Sequence, residues 1–77
     1  MDIEKIEILR MLHNGRPTIP EMGNYIGKAN ATVHKLLQEL VAAGLVTPPR
    51  FRGAARDYHI SRAGFDYLVS NGYVKEN

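Results

Sequence analysis

The stretch from Thr18 to Val46 leaves the folding chain the fewest choices. It divides at Gly27 into two segments of helical pattern. In the second, Val33, Leu36, Leu37, Leu40 and Val41 recur at the i, i+3, i+4, i+7, i+8 spacing of one helix face, and that face has to be buried. Ala31, Thr32, His34, Lys35 and Gln38 fall on the opposite face, short or polar, with donors, acceptors and one positive charge. Such a surface suits the floor of a nucleic-acid major groove.

With 77 residues the chain reads as one domain, 1–77, near the lower end of what folds without a staple. It has no cysteine, so neither a disulfide nor a thiolate metal site can supply one. Its 44% hydrophobic and 23% charged residues are ordinary globular composition, which argues against disorder. No apolar run is long enough to cross a bilayer, and Asp2 and Glu4 are unlike the basic start of a secretory leader; a cytoplasmic protein with no membrane partner is expected. Net charge is only +2, but its distribution is uneven. Between Lys28 and Arg62 six bases stand against two acids, a local +4, while the remainder of the chain is −2. Positive charge is thus gathered in the second of the two segments and in the residues just after it, as a phosphate-binding surface requires.

In chain order, residues 2–13 read as a first helix, capped by Asp2 and stopped at Asn14-Gly15. Ile8, Leu9 and Leu12 share its inner face; Ile3 and Ile6 project to the far side with Arg10, surplus to a three-helix core. They either pack under the last helix or form a contact between two copies. Thr18-Ile-Pro-Glu21 is a capping box, which starts the second helix at Ile19 and runs it to Ile26, with Ile19, Met22 and Ile26 inward and Gly27 as the stop. The third helix, about 30–43, starts near Asn30 as its cap and ends before Gly44. Leu45-Val46-Thr47 begins a strand that Pro48-Pro49 interrupts. Phe51 to Arg56 is the tip of a hairpin, and Tyr58 and Ile60 alternate with Asp57 and His59 in the return strand. Ser61 caps a final helix over 62–71 in which Phe65, Leu68 and Val69 share a face, with Tyr67 opposite and Gly72 as the end.

A three-helix core, a two-stranded wing and a C-terminal helix make an α+β winged helix-turn-helix. The chain resembles the DNA-binding core of MarR-type and related prokaryotic regulators. The residues that carry the resemblance are Thr18 to Glu21, the Gly27 turn, Thr32-Val33-His34-Lys35, the segment LVAAGLV from Leu40 to Val46, and Tyr58-His-Ile-Ser-Arg-Ala-Gly64. They resemble the T-x-x-E, T-V-S-R, L-x-x-x-G-L-V and Y-x-L-T-x-x-G patterns, within a resemblance that covers about residues 5–70. The chain departs from the family at Lys28 and Ala29, which stand where an apolar residue and a serine cap are usual. It departs again at His34 in place of serine, at Pro48-Pro49 in the first wing strand, and in lacking the long flanking dimerisation helices.

The resemblance implies sequence-specific binding of double-stranded DNA by a small transcriptional regulator. The third helix would lie in the major groove, and the wing, about 50–56, on the minor groove or the backbone. Thr32, His34, Lys35 and Gln38 would enter or border the groove, with Lys28, Asn30 and Ala31 near phosphate or base edges at the helix start. Gln38 can read adenine bidentately, Lys35 can take guanine or a phosphate, and Ala31 or the Thr32 methyl can touch a thymine methyl. Arg50, Arg52 and Arg56 would reach the minor groove or backbone, unless one of them, Arg56 foremost, pairs with Asp57 or Glu39. A single module is a thin interface, so a homodimer is expected, with Ile3, Ile6, Tyr67, Tyr73 and Val74 as candidate contacts.

Enzymatic readings find little support. His13, His34 and His59 lie on separate elements with no carboxylate at ligand spacing, no glycine-rich phosphate loop follows a strand, and no Ser stands with a base in a catalytic motif. No metal, cofactor or small-molecule substrate is expected. The alternative is a winged helix used as a protein-interaction module, an adaptor or an antagonist of a DNA-binding protein. A DNA binder needs the basic set contiguous and unpaired; an adaptor would expose the apolar surplus.

Overall fold

The computed structural model describes residues 1–49 and 58–75. Four helices occur in it, α1 (Ile3–Asn14), α2 (Ile19–Ile26), α3 (Asn30–Ala42) and α4 (Arg62–Ser70), with the strands β1 (Val46–Thr47) and β2 (His59–Ile60) lying between α3 and α4. The strands pair antiparallel, Val46 opposite Ile60 and Thr47 opposite His59, which forms the base of a wing. The winged helix-turn-helix expectation therefore holds in element order and in strand pairing. The tip of that wing, with Arg50, Arg52 and Arg56, lies outside the described residues.

The apolar periodicities of the helices converge on one core. Ile8, Leu9 and Leu12 from α1 meet Ile19 and Met22 from α2, Val33, Leu36, Leu37 and Leu40 from α3, Val46 from β1 and Leu68 from α4. Among the described residues no polar or charged side chain is buried, so this core contains nothing that must ionise or find a partner.

Of the two outcomes expected for Ile3 and Ile6, burial is the one that Ile6 takes, while Ile3 stays at the surface. Ile6 is only 8% exposed, whereas Ile3 stands 74% exposed. α1 packs against α4 and β2 as well as against α2 and α3, which widens its buried face. Ile6 is therefore no exposed contact for a second copy. Tyr67 and Val74 are also half-buried against the core, so Tyr67 does not stand clear of it.

Local chemistry sets the helix ends. At α2 both halves of the box are made: the Glu21 N–H donates to Thr18 Oγ1 at 3.2 Å and the Thr18 N–H donates to Glu21 Oε1 at 2.7 Å. Pro20 sits in the first turn, where its missing N–H costs nothing. Thr18→Ala removes one of these bonds and leaves the other without its frame. It is expected to cost about 1 kcal/mol, measurable as a lower midpoint in urea denaturation. At α3 the expected cap is displaced by one residue: Ala29 occupies the cap position, and Asn30 is already helical. Alanine has no side-chain acceptor, so the first amides of α3 have no side-chain cap.

The junction between α3, the wing and α4 is a knot of short contacts. Past Ala43, Gly44 takes a left-handed conformation with φ +78, and Leu45 N–H returns to the Leu40 carbonyl at 3.0 Å. Ser61 then ties three elements together. Its hydroxyl donates to the Gly44 carbonyl at 2.7 Å and accepts from the Gly64 N–H at 3.0 Å, while its own N–H donates to the Leu45 carbonyl at 3.1 Å.

Candidate nucleic-acid interface

The turn that sets α3 against α2 is held by the backbone. Gly27 has φ +73, and Lys28 N–H donates to the Gly23 carbonyl at 2.9 Å. Gly23 is buried, and a Cβ there would lie 2.7 Å from the Lys28 carbonyl oxygen, so the chain can make this close return only with glycine at 23. The function of Gly23 was not apparent in the sequence, since it looks like an ordinary helix interior until the turn folds back on it.

With Val33, Leu36, Leu37 and Leu40 turned inward, the opposite face of α3 is open. Asn30, Ala31, His34, Lys35 and Gln38 are exposed and Thr32 is half-buried. These residues thus share the solvent side of the helix, as the sequence predicts. Asn30 and His34 also line a shallow groove of about 440 Å³ with Thr18, Ile19 and Pro20 at the start of α2. Thr18 and Pro20 were not among the sequence-derived site residues; their only sequence signal is the cap itself.

The charges around this face are partly committed. Lys28, exposed beside the turn, pairs with Glu4 on α1 at 3.4 Å. Glu39, on the flank of α3, pairs with Lys5 on α1 at 2.9 Å. The expectation that Glu39 takes a wing arginine concerns Arg56, outside the described residues, and in the structure Glu39 is held by Lys5. Lys35 has no carboxylate within 4.0 Å among the described residues. The bond from Lys5 and its charge hold the Glu39 carboxyl below the ordinary carboxylate range, against a smaller opposing effect of desolvation. By the same bond Lys5 is raised above an ordinary lysine. A depressed carboxylate contributes stability that is lost as pH falls through its folded value, and a raised ammonium contributes stability that is lost as pH rises through its own. The bridge is consequently intact across the whole neutral range.

A second, open depression lies between α1 and α2, about 420 Å³, bordered by Glu7, Arg10, Met11, Arg16, Glu21 and Tyr25 among others. Its charges largely answer each other: Arg10 pairs with Glu7 at 3.3 Å, and Glu21 is held in the capping box. Among the described residues there is no group of three or more His, Asp or Glu side chains placed to hold a metal. No helix of the described residues is long and apolar enough to cross a membrane.

The family model of the IclR helix-turn-helix domain matches residues 6–49, from α1 through β1. That family is distinct from the MarR-type core but related to it. No curated protein and no solved structure matches the chain significantly. The match covers more than half of the chain and contains the turn, the buried stripe of α3 and its open face, and it places the chain in the IclR helix-turn-helix domain family, the DNA-binding domain of transcriptional regulators.

Proposed function

We propose that the exposed face of α3 enters the major groove of double-stranded DNA. In this reading Gln38 and Lys35 meet base edges or phosphate, Ala31 and Thr32 lie against thymine methyls, and His34 and Asn30 sit beside the groove at the start of α2. The observation that carries it is the separation of faces on α3, with every bulky apolar residue inside and a continuous polar strip outside, in a fold whose family binds DNA. The first turn of α3 adds to it, because no side chain caps its first amides and a phosphate oxygen can take that place. Arg50, Arg52 and Arg56 enter from the sequence as backbone or minor-groove contacts flanking the site. Lys28 contributes by sharing its charge between Glu4 and phosphate.

A module of this size buries about 600–1,000 Å² of its surface on DNA, so specific binding calls for two copies on a symmetric site. Ile3 and Tyr73, 74% and 40% exposed, are the sequence-derived contacts that remain at the surface for such a dimer. The role is non-enzymatic, exercised in the cytoplasm where the chromosome lies, with no small-molecule substrate.

The test is fluorescence anisotropy on a mixed-sequence duplex across a salt series. With about five cations engaged, log K is expected to fall with log salt at a slope of about −4 to −5 per protomer. In the selected operator, Gln38→Ala is expected to cost about 1–3 kcal/mol and to relax preference at one base pair. A flat salt dependence, or a Gln38→Ala variant with unchanged sequence preference, contradicts this placement of α3.

A further inference from the structure

Lys35 and Glu39 stand four residues apart on α3, the separation at which a lysine and a glutamate on one helix face pair with each other. They do not pair. Glu39 instead takes Lys5 at 2.9 Å, reaching across to α1, and Lys35 is left without a carboxylate partner among the described residues. Lys35 is exposed on the face of α3 proposed to meet DNA. The Lys5 side chain is only 23% exposed and that of Glu39 42%, so the bridge is the better-sheltered of the two pairings available to Glu39. Lys35 is close enough to Glu39 for its charge to act on that carboxylate, as the lowering of the Glu39 carboxyl records.

We propose that Lys5 is a positioning residue for DNA binding: by holding Glu39 against α1, it keeps that carboxylate from neutralising Lys35 and from facing phosphate. Lys5 acts through Glu39 and touches no DNA. Without it, the Glu39 carboxylate turns to its i−4 neighbour, and DNA must then compete with an intrahelical ion pair for the Lys35 ammonium. The inference rests on the placement of α3 against DNA, and its test separates the two.

The experiment measures binding of the full chain to the mixed-sequence duplex for wild type, Lys5→Met, Glu39→Gln, Lys35→Ala and the double variants. Lys5→Met is expected to weaken binding about two- to five-fold, the range an exposed ion pair controls. It is also expected to reduce the salt slope by about 0.9, because one cation has been withdrawn from phosphate. Adding Glu39→Gln should restore both affinity and slope to the wild-type values. In the Lys35→Ala background Lys5→Met should have no further effect. Circular dichroism melting of each variant checks that the fold is unchanged, since neither ion-pair partner belongs to the buried core.

If Lys35→Ala binds as wild type does, the placement of Lys35 against DNA fails. If Lys35→Ala weakens binding but Lys5→Met does not, or Lys5→Met weakens it equally in the Glu39→Gln and Lys35→Ala backgrounds, then Lys5 is inert or a direct contact, and the proposal is overturned.

Discussion

Leu37→Ala is expected to lower the stability of this domain by about 3 kcal/mol. Leu37 is fully buried within the core cluster that joins α1, α2, α3, β1 and α4, and its truncation leaves a cavity inside that core. A domain of 77 residues stands at the small end of the size range, where total stability is about 5–10 kcal/mol, so the loss is a large share of the whole. Thermal unfolding followed by circular dichroism should show a midpoint about 12–24 °C lower. The neighbouring Gln38→Ala provides the contrast. Gln38 points away from the core, and its removal should change stability by no more than about 0.5 kcal/mol while it impairs DNA binding. Two adjacent residues thus report on fold and function independently. Leu37→Ala at a temperature well below its midpoint should still bind the duplex.

The second large effect reverses a rule of helix propensity. Gly64 lies inside α4, where alanine would ordinarily be favoured over glycine by about 1 kcal/mol. Here a Cβ would collide with the Leu45 carbonyl and crowd Ile60 Cγ1 at 2.8 Å. The Leu45 carbonyl cannot move aside, because it accepts from Ser61 N–H and belongs to the turn that closes α3. Overpacking against fixed backbone costs about 3 kcal/mol, which exceeds the propensity gain and leaves Gly64→Ala less stable by about 2 kcal/mol. A midpoint about 8–16 °C lower is the expected result. An unchanged or raised midpoint would mean that α4 can withdraw from the α3 to β1 corner.

What was legible in the sequence was local. The Thr18 to Glu21 box, the glycine stops and the stripe of α3 are each written within one helical turn or one helix, and each is found where the residues place it. The two wing strands could be read as well, at Leu45 to Thr47 and Tyr58 to Ile60, though not their register of Val46 opposite Ile60. Features created by distant parts of the chain were not legible. The need for glycine at 64 depends on where the Leu45 carbonyl arrives, and the need for glycine at 23 on the return of the Lys28 carbonyl. The case of Glu39 is sharper, since the nearest partner by spacing, Lys35, is the wrong one, and the right one lies 34 positions earlier in the chain. The cap of α3 was misplaced by one residue because asparagine is a better cap than alanine by propensity, whereas the tight return of Lys28 onto Gly23 fixes the entry of the helix first.

The knot at Ser61 also bears on how such a regulator can change its target over time. Both ends of the wing are fastened by it and by the short β1 to β2 pairing, and neither fastening draws on residues 48–57. By loop-closure entropy alone, each doubling of the number of residues between the strands costs about 0.6 kcal/mol. The Ser61 bonds and the β1 to β2 register hold α3 and α4 together from outside that segment. On the proposed placement against DNA, target choice is a two-part code, one part carried by α3 and fixed with the fold, the other carried by the residues between the strands.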